Sequence, residues 1–359
     1  SKIFYTSSMH GADWDSLKVT YSKFLPHVGN AYEFSEVLSE MLGELNVSHC
    51  GARFRDNIPN GDATASLGIF EDYSHKGDGL LIAEIINGGP LDKAKFDLKP
   101  GMIIEKINGQ TISANQDQAI YLNRKAGDFT LLEIVDPATG KRQQITMKPI
   151  TSDEERSLLY KRWVEKNEEE VIAKSGGKLG YVHLPSMSDG PYRTIYEEML
   201  GKYADAEAVV VDTRFNGGGD LVADLAMFFT GVPFITYATE DRVVGGEPTS
   251  RWTRPTLALV NEAQYSDGHC FASGYTDLQI GKTVGMPVPG TCSFAGWEGL
   301  PNGGYWGTVP VSAKNKAGEW MENNQTEPDI KVKNQPEVIS QGRDQQLERG
   351  IEELLKDLE

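Results

Sequence analysis

The sequence contains no apolar run approaching the roughly 18 to 20 residues of a membrane-spanning helix, and no such span is expected. It also lacks any lysine- or arginine-rich stretch: 52 acidic residues outnumber 35 basic ones, giving a net charge of −17. A surface that tracks phosphates needs the opposite balance, so nucleic acid is not an expected partner. Cysteine is scarce, with Cys50, Cys270 and Cys292 and no CxxC pair, which excludes a disulfide scaffold while leaving room for one bridge. The six histidines (His10, His27, His49, His75, His183, His269) show no HExxH or comparable spacing, so neither a metal nor another cofactor is expected. A GxGxxG run and a Walker lysine are absent, which counts against a nucleotide site. The chain opens on Ser1 with no apolar leader and reads as processed or as an excised piece; its compartment is not legible.

What is present is an ordinary globular composition, 39% hydrophobic and 24% charged over 359 residues. At about 100 to 200 residues per domain that suggests two or three domains. Trp14, Leu17, Tyr21 and Phe24, then Phe34, Val37, Leu38, Met41, Leu42 and Leu45, recur at three and four, the spacing of two amphipathic helices. From about Ala65 the pattern changes to short strand-like runs, 80–86, 102–107 and 129–135, separated by turns such as Asn87-Gly88-Gly89 and Asn108-Gly109. A charged helical segment, 152–174, leads into strands at 179–184, 208–212 and 257–260 interleaved with helices at 192–200 and 221–229. Apolar strands alternating with helices predict crossovers and a mostly parallel sheet. Leu347, Ile351, Leu354, Leu355 and Leu358 form the stripe of a terminal helix. The expected division is a helical subdomain over 1–63, a β-rich domain over 64–150 and an α/β core over 151–359.

Three segments carry groups suited to chemistry. The strand Val209–Asp212 runs through Thr213-Arg214-Phe215-Asn216 into Gly217-Gly218-Gly219 and a helix. Glycines there let backbone N–H groups face an open site at a helix N-terminus, which suits a phosphate, an oxyanion or merely a tight turn. After the apolar strand 257–260, Ser266 precedes Asp267-Gly268-His269, at the sheet edge where α/β enzymes place reacting groups. Ser48-His49-Cys50 follows the second helix, and an imidazole is the usual base for a serine hydroxyl. His269, three residues from Ser266, ranks second as that base, and His183, within an apolar strand, reads as packing. Cys50 is a poor nucleophile for its neighbour His49, because adjacent side chains diverge.

Together these segments resemble the tricorn-type proteases of the S41 serine peptidases. The likeness runs from Phe4-Tyr5 and Met9–Trp14 through Met41–Leu45, Ser48-His49 and Asp212–Gly219 to Glu322-Asn323, Pro328-Asp329 and Gly342–Leu347. It implies a PDZ-like β domain and a crotonase-like α/β core, in an α+β and α/β multidomain chain that hydrolyses peptides. Carried over residue by residue, Ser266 is the nucleophile and His49 its general base, with Ser48 and Glu322 orienting the imidazole. Gly218 (or Gly217) and Asp267 supply the oxyanion-hole amides. Tyr265 stands where the family has glycine, His269 where it has an acid, and the acidic motif reads Glu322-Asn323-Asn324-Gln325. The lysine of the related Ser/Lys branch is missing from Pro289–Phe294, which favours histidine as base. The implied partner is a peptide, and the family's oligomers make a homo-oligomer an expectation. The alternative is a peptide-binding module of the same fold that has lost hydrolysis.

Overall fold

The computed structural model describes residues 3–55 and 61–359. The chain forms two compact units, one of residues 57–166 and the other of residues 1–56 together with 167–359. The front segment and the rear core, expected as separate domains, therefore share a unit. Backbone pairing is the reason: strand Gly51–Arg53 lies antiparallel on strand Tyr305–Ser312, with Gly51 opposite Gly307, and Tyr5 N–H donates to Val309 O.

At the centre of this larger unit is a five-stranded sheet, parallel throughout, in the order Ile330–Lys331, Lys282–Gly285, Thr256–Val260, Ala208–Asp212, Leu179–His183. The three strands at 179–183, 208–212 and 256–260 are buried at every residue, which is why they read as continuous apolar runs rather than alternating ones. On one face Val209, Val211, Ala258 and Val260 pack with Ile195, Leu225, Phe228, Phe271 and Tyr275 from three helices, Asp189–Glu197, Val222–Thr230 and Asp267–Asp277. The helix Gln345–Lys356 covers the opposite face, its Gly350 set against the Leu257 and Leu259 side chains.

Several strands had no strand-like reading in the sequence, two extended features among them. One is the ribbon Ser293–Gly299 with Tyr305–Ser312; the other is an isolated hairpin, Ile235–Ala238 with Val243–Glu247. The front helices occupy Trp14–Ser22 and Ala31–Gly43, capped by the Asp13 and Asn30 side chains.

The smaller unit carries a six-stranded sheet whose main path is Ile69–Glu71, Leu80–Ile85, Ile103–Ile107, Thr130–Val135, Arg142–Met147, all antiparallel. Its core is Leu80, Ile82, Ile104, Ile107, Leu132, Ile134 and Ile145, one face of the alternating pattern. Helix Ser152–Ser175 continues the chain from it. Among the described residues no helix is long and apolar enough to cross a membrane.

Candidate active site

Adjacent parallel strands Ala208–Asp212 and Thr256–Val260 deliver two loops at their C-terminal ends, the usual place for a site in such a sheet. The second loop turns sharply at Ser266, whose φ of 55° and ψ of −122° are rare for a side chain with a Cβ. A backbone held this way costs about 1 to 3 kcal/mol and persists only where its surroundings enforce it. Here they do. Ser266 N–H donates to Thr291 Oγ1 at 2.8 Å, Tyr265 N–H to Asn216 O at 2.9 Å, and Gly268 N–H to Tyr265 O at 2.9 Å. Helix Asp267–Asp277 starts at the next residue, and the Asp267 carboxylate accepts from Leu221 N–H at 2.8 Å, tying it to the first loop.

The first loop presses directly against this turn. A Cβ built on Gly218, at φ +90°, would lie 2.6 Å from Ser266 Cβ and 3.0 Å from Asp267 N. On Gly219 it would lie 1.8 Å from Met187 O. The glycines are thus required by close approach as much as by dihedral angle. Hydrogen bonding distinguishes the amides of this loop. Gly218 N–H donates to Asn216 Oδ1 at 2.8 Å and Gly217 N–H to Pro185 O at 3.2 Å, so both are engaged inside the loop. Among the described residues, no acceptor meets the N–H of Gly219 or Asp267. Asn216 missed selection because its role, occupying the Gly218 amide, is set by the folded loop alone.

His49 reaches this turn from the front of the chain. Its N–H donates to the Tyr265 hydroxyl at 2.7 Å across a separation of 216 residues, and the two rings lie 4.6 Å apart at 60°. Its Nε2 is buried with no hydrogen-bond partner among the described residues. Burial lowers the His49 pKa, while the Glu322 charge and the Thr291 backbone oppose that shift.

Ser48 and Glu322 meet directly, and the Glu322 charge also reaches the imidazole. Ser48 N–H donates to Glu322 Oε1 at 2.5 Å and Ser48 Oγ to Oε2 at 2.8 Å, and Ser293 Oγ also donates to that carboxylate. The pair clamps the backbone just before His49. The unusual run after Glu322 does not turn it away: Asn323, at φ 60°, donates its N–H to Gly290 O and its Nδ2 to Asn46 O, holding the acid in place. A cavity of about 600 Å³ opens beside this clamp, lined by Ser48, Tyr265, Thr291 and Glu322 among others.

The remaining candidates lie outside the chemistry. His269 is fully buried; its Nδ1 accepts from Thr291 N–H and Cys292 N–H, both at 3.1 Å, and its Nε2 faces Thr326 Oγ1 at 2.9 Å. With its lone pair occupied and burial pushing its pKa down to about 4, it is a neutral strut. Cys270 and Cys292 form a disulfide, joining the helix that follows Ser266 to the loop that holds it, while Cys50 is free, its thiol pKa pushed up by burial. His183 is buried in its strand. Thr291 escaped selection because only the folded chain brings it to Ser266.

Residues 178–332 match the family model Peptidase family S41, and residues 1–43 match the Tricorn protease C1 domain. A tricorn protease homolog of Saccharolobus solfataricus is 30% identical over 96% of this chain and 33% of its own length. The tricorn protease of Thermoplasma acidophilum is 28% identical over 94% of this chain and 32% of its own length. This chain thus spans about a third of the length of these curated relatives. A crystal structure of the tricorn protease superposes with a TM-score of 0.82 at 21% identity, covering 99% of this chain and 35% of that one, a match of fold.

Proposed function

Because the chain belongs to the S41 peptidases, and within them to the tricorn type, we propose that it is a serine peptidase hydrolysing short or unfolded peptides. The observation that carries this reading is the meeting of His49 with the Tyr265-Ser266 turn. In the proposed cycle His49 Nε2 takes the Ser266 proton as Oγ attacks the peptide carbonyl. The amides that receive the developing negative charge are Gly219 and Asp267, the two without an acceptor, the latter at a helix N-terminus where the dipole assists. The imidazolium then protonates the departing amine, and water releases the acyl group from Ser266. Ser48 and Glu322 serve by fixing the His49 loop.

The unit of residues 57–166 is read as PDZ-like, a fold that binds an extended peptide as an added strand, and the parallel-sheet core as crotonase-like. The −17 charge favours cationic peptides by steering, and a homo-oligomer remains the expected assembly. A serine-reactive fluorophosphonate tests the reading. Wild type should be labelled on Ser266 and Ser266→Ala should not. A wild-type chain that binds peptide yet resists labelling would support the inactive module instead.

A further inference from the structure

The loop that carries His49 holds itself poorly. Asn46 and His49 both adopt left-handed backbone, at φ 46° and 51°, a conformation that disfavours a side chain such as that of His49. Outside tethers must hold it. His10 Nδ1 bonds Leu45 O at 2.9 Å, Asn323 Nδ2 donates to Asn46 O at 2.6 Å, and Glu322 grips Ser48. These fix the loop to the front of the chain and to residues 322–323, and none is part of the turn that bears Ser266. Tyr265 is. It is joined to Ser266 by one peptide bond and locked at both ends, N–H to Asn216 O and carbonyl to Gly268 N–H. Its phenol oxygen accepts the His49 N–H at 2.7 Å and its ring lies 4.6 Å from the imidazole.

We propose that Tyr265 is the positioning residue that registers the base against the nucleophile, its hydroxyl setting where the His49 backbone sits and its ring setting the tilt and shielding of the imidazole. This rests on the serine-peptidase reading and adds to it a positioning side chain beside the nucleophile. The physical need is plain. A general base works best with its nitrogen within about 2.6 to 3.2 Å of the oxygen whose proton it takes, and an error of about 1 Å costs on the order of 10²-fold. A tether rooted beside Ser266 moves the base together with the nucleophile. The groups that face the imidazole are the Tyr265 phenol, the Glu322 carboxylate and the neutral Thr291 backbone.

Fluorophosphonate labelling tests this without a known substrate, since Ser266 Oγ displaces fluoride from phosphorus while its proton passes to the base. Labelling rate is measured against pH for wild type, Tyr265→Phe and Tyr265→Ala, with thermal unfolding as the check on folding. Tyr265→Phe should react about tenfold more slowly, the scale of one lost hydrogen bond, with its pH midpoint unmoved because the ring remains. Tyr265→Ala should be slower still, with a midpoint shifted up toward the free imidazole value of about 6.5 as water reaches His49. Wild-type rates for Tyr265→Phe, or equal losses in both variants with unmoved midpoints, would overturn the proposal. An unlabelled wild type would instead sink the peptidase reading, and this inference with it.

Discussion

At the scale of single residues the account turns on which form of His49 prevails near neutral pH. A base must be neutral to accept a proton, and burial, its largest influence, disfavours the imidazolium. The acid limb of kcat/KM should therefore have its midpoint below the ordinary histidine value of about 6.5. Glu322→Gln removes the charge that opposes this shift, so the midpoint should move further down. A pH-rate profile with its midpoint above 6.5, or an upward move in Glu322→Gln, would contradict the assignment. Gly218 gives a steric counterpart. Gly218→Ala puts a methyl 2.6 Å from Ser266 Cβ and must displace Ser266, so turnover should fall by about 10²-fold or more, judged from a misplacement near 1 Å. Unchanged kcat in a folded Gly218→Ala would show that the two loops are not in contact.

Among the elements, the helix Asp267–Asp277 and the loop of residues 289–293 behave as one piece. Thr291 holds Ser266 N–H, His269 accepts from the amides of Thr291 and Cys292, and the Cys270–Cys292 disulfide closes the unit over a separation of 22 residues. A cross-link over a loop of that length stabilises by about 3 kcal/mol in the chain-entropy picture. Reduction, or Cys292→Ser, should lower the unfolding temperature measurably and slow turnover by loosening the turn at Ser266. Identical melting of oxidised and reduced protein would show that the bridge contributes nothing.

This piece also shows what a sequence displays and what it withholds. The strand Ala208–Asp212 is legible because both faces of a central parallel strand are buried, which writes an unbroken apolar run. The hairpin Ile235–Glu247 is not, since its first strand is exposed at every residue and its second at three of five, and no alternation of burial marks it. Ser266 and His49, the pair of the proposed mechanism, are singled out by family motifs. The partners that hold them, Thr291 and Tyr265, are not, because the contacts that define their roles arise only on folding.

Over the whole molecule, the larger unit is built so that the front of the chain completes a site begun at its rear. The short pairing of Gly51–Arg53 with Tyr305–Ser312 brings the loop after the second helix to the sheet, and Glu322, ten residues after that partner strand ends, closes on Ser48. The Gly219 and Asp267 amides lie in or directly beside loops that leave neighbouring parallel strands. Neither half holds the proposed machinery alone. The most direct measurement is a double-mutant cycle on peptide hydrolysis with His49→Ala, Ser266→Ala and the pair combined. Residues that act as one unit lose about 10⁴- to 10⁶-fold singly and no more together, and that is the result predicted here. A double variant whose loss is the product of the single losses would mean that His49 and Ser266 act independently, and would contradict the account.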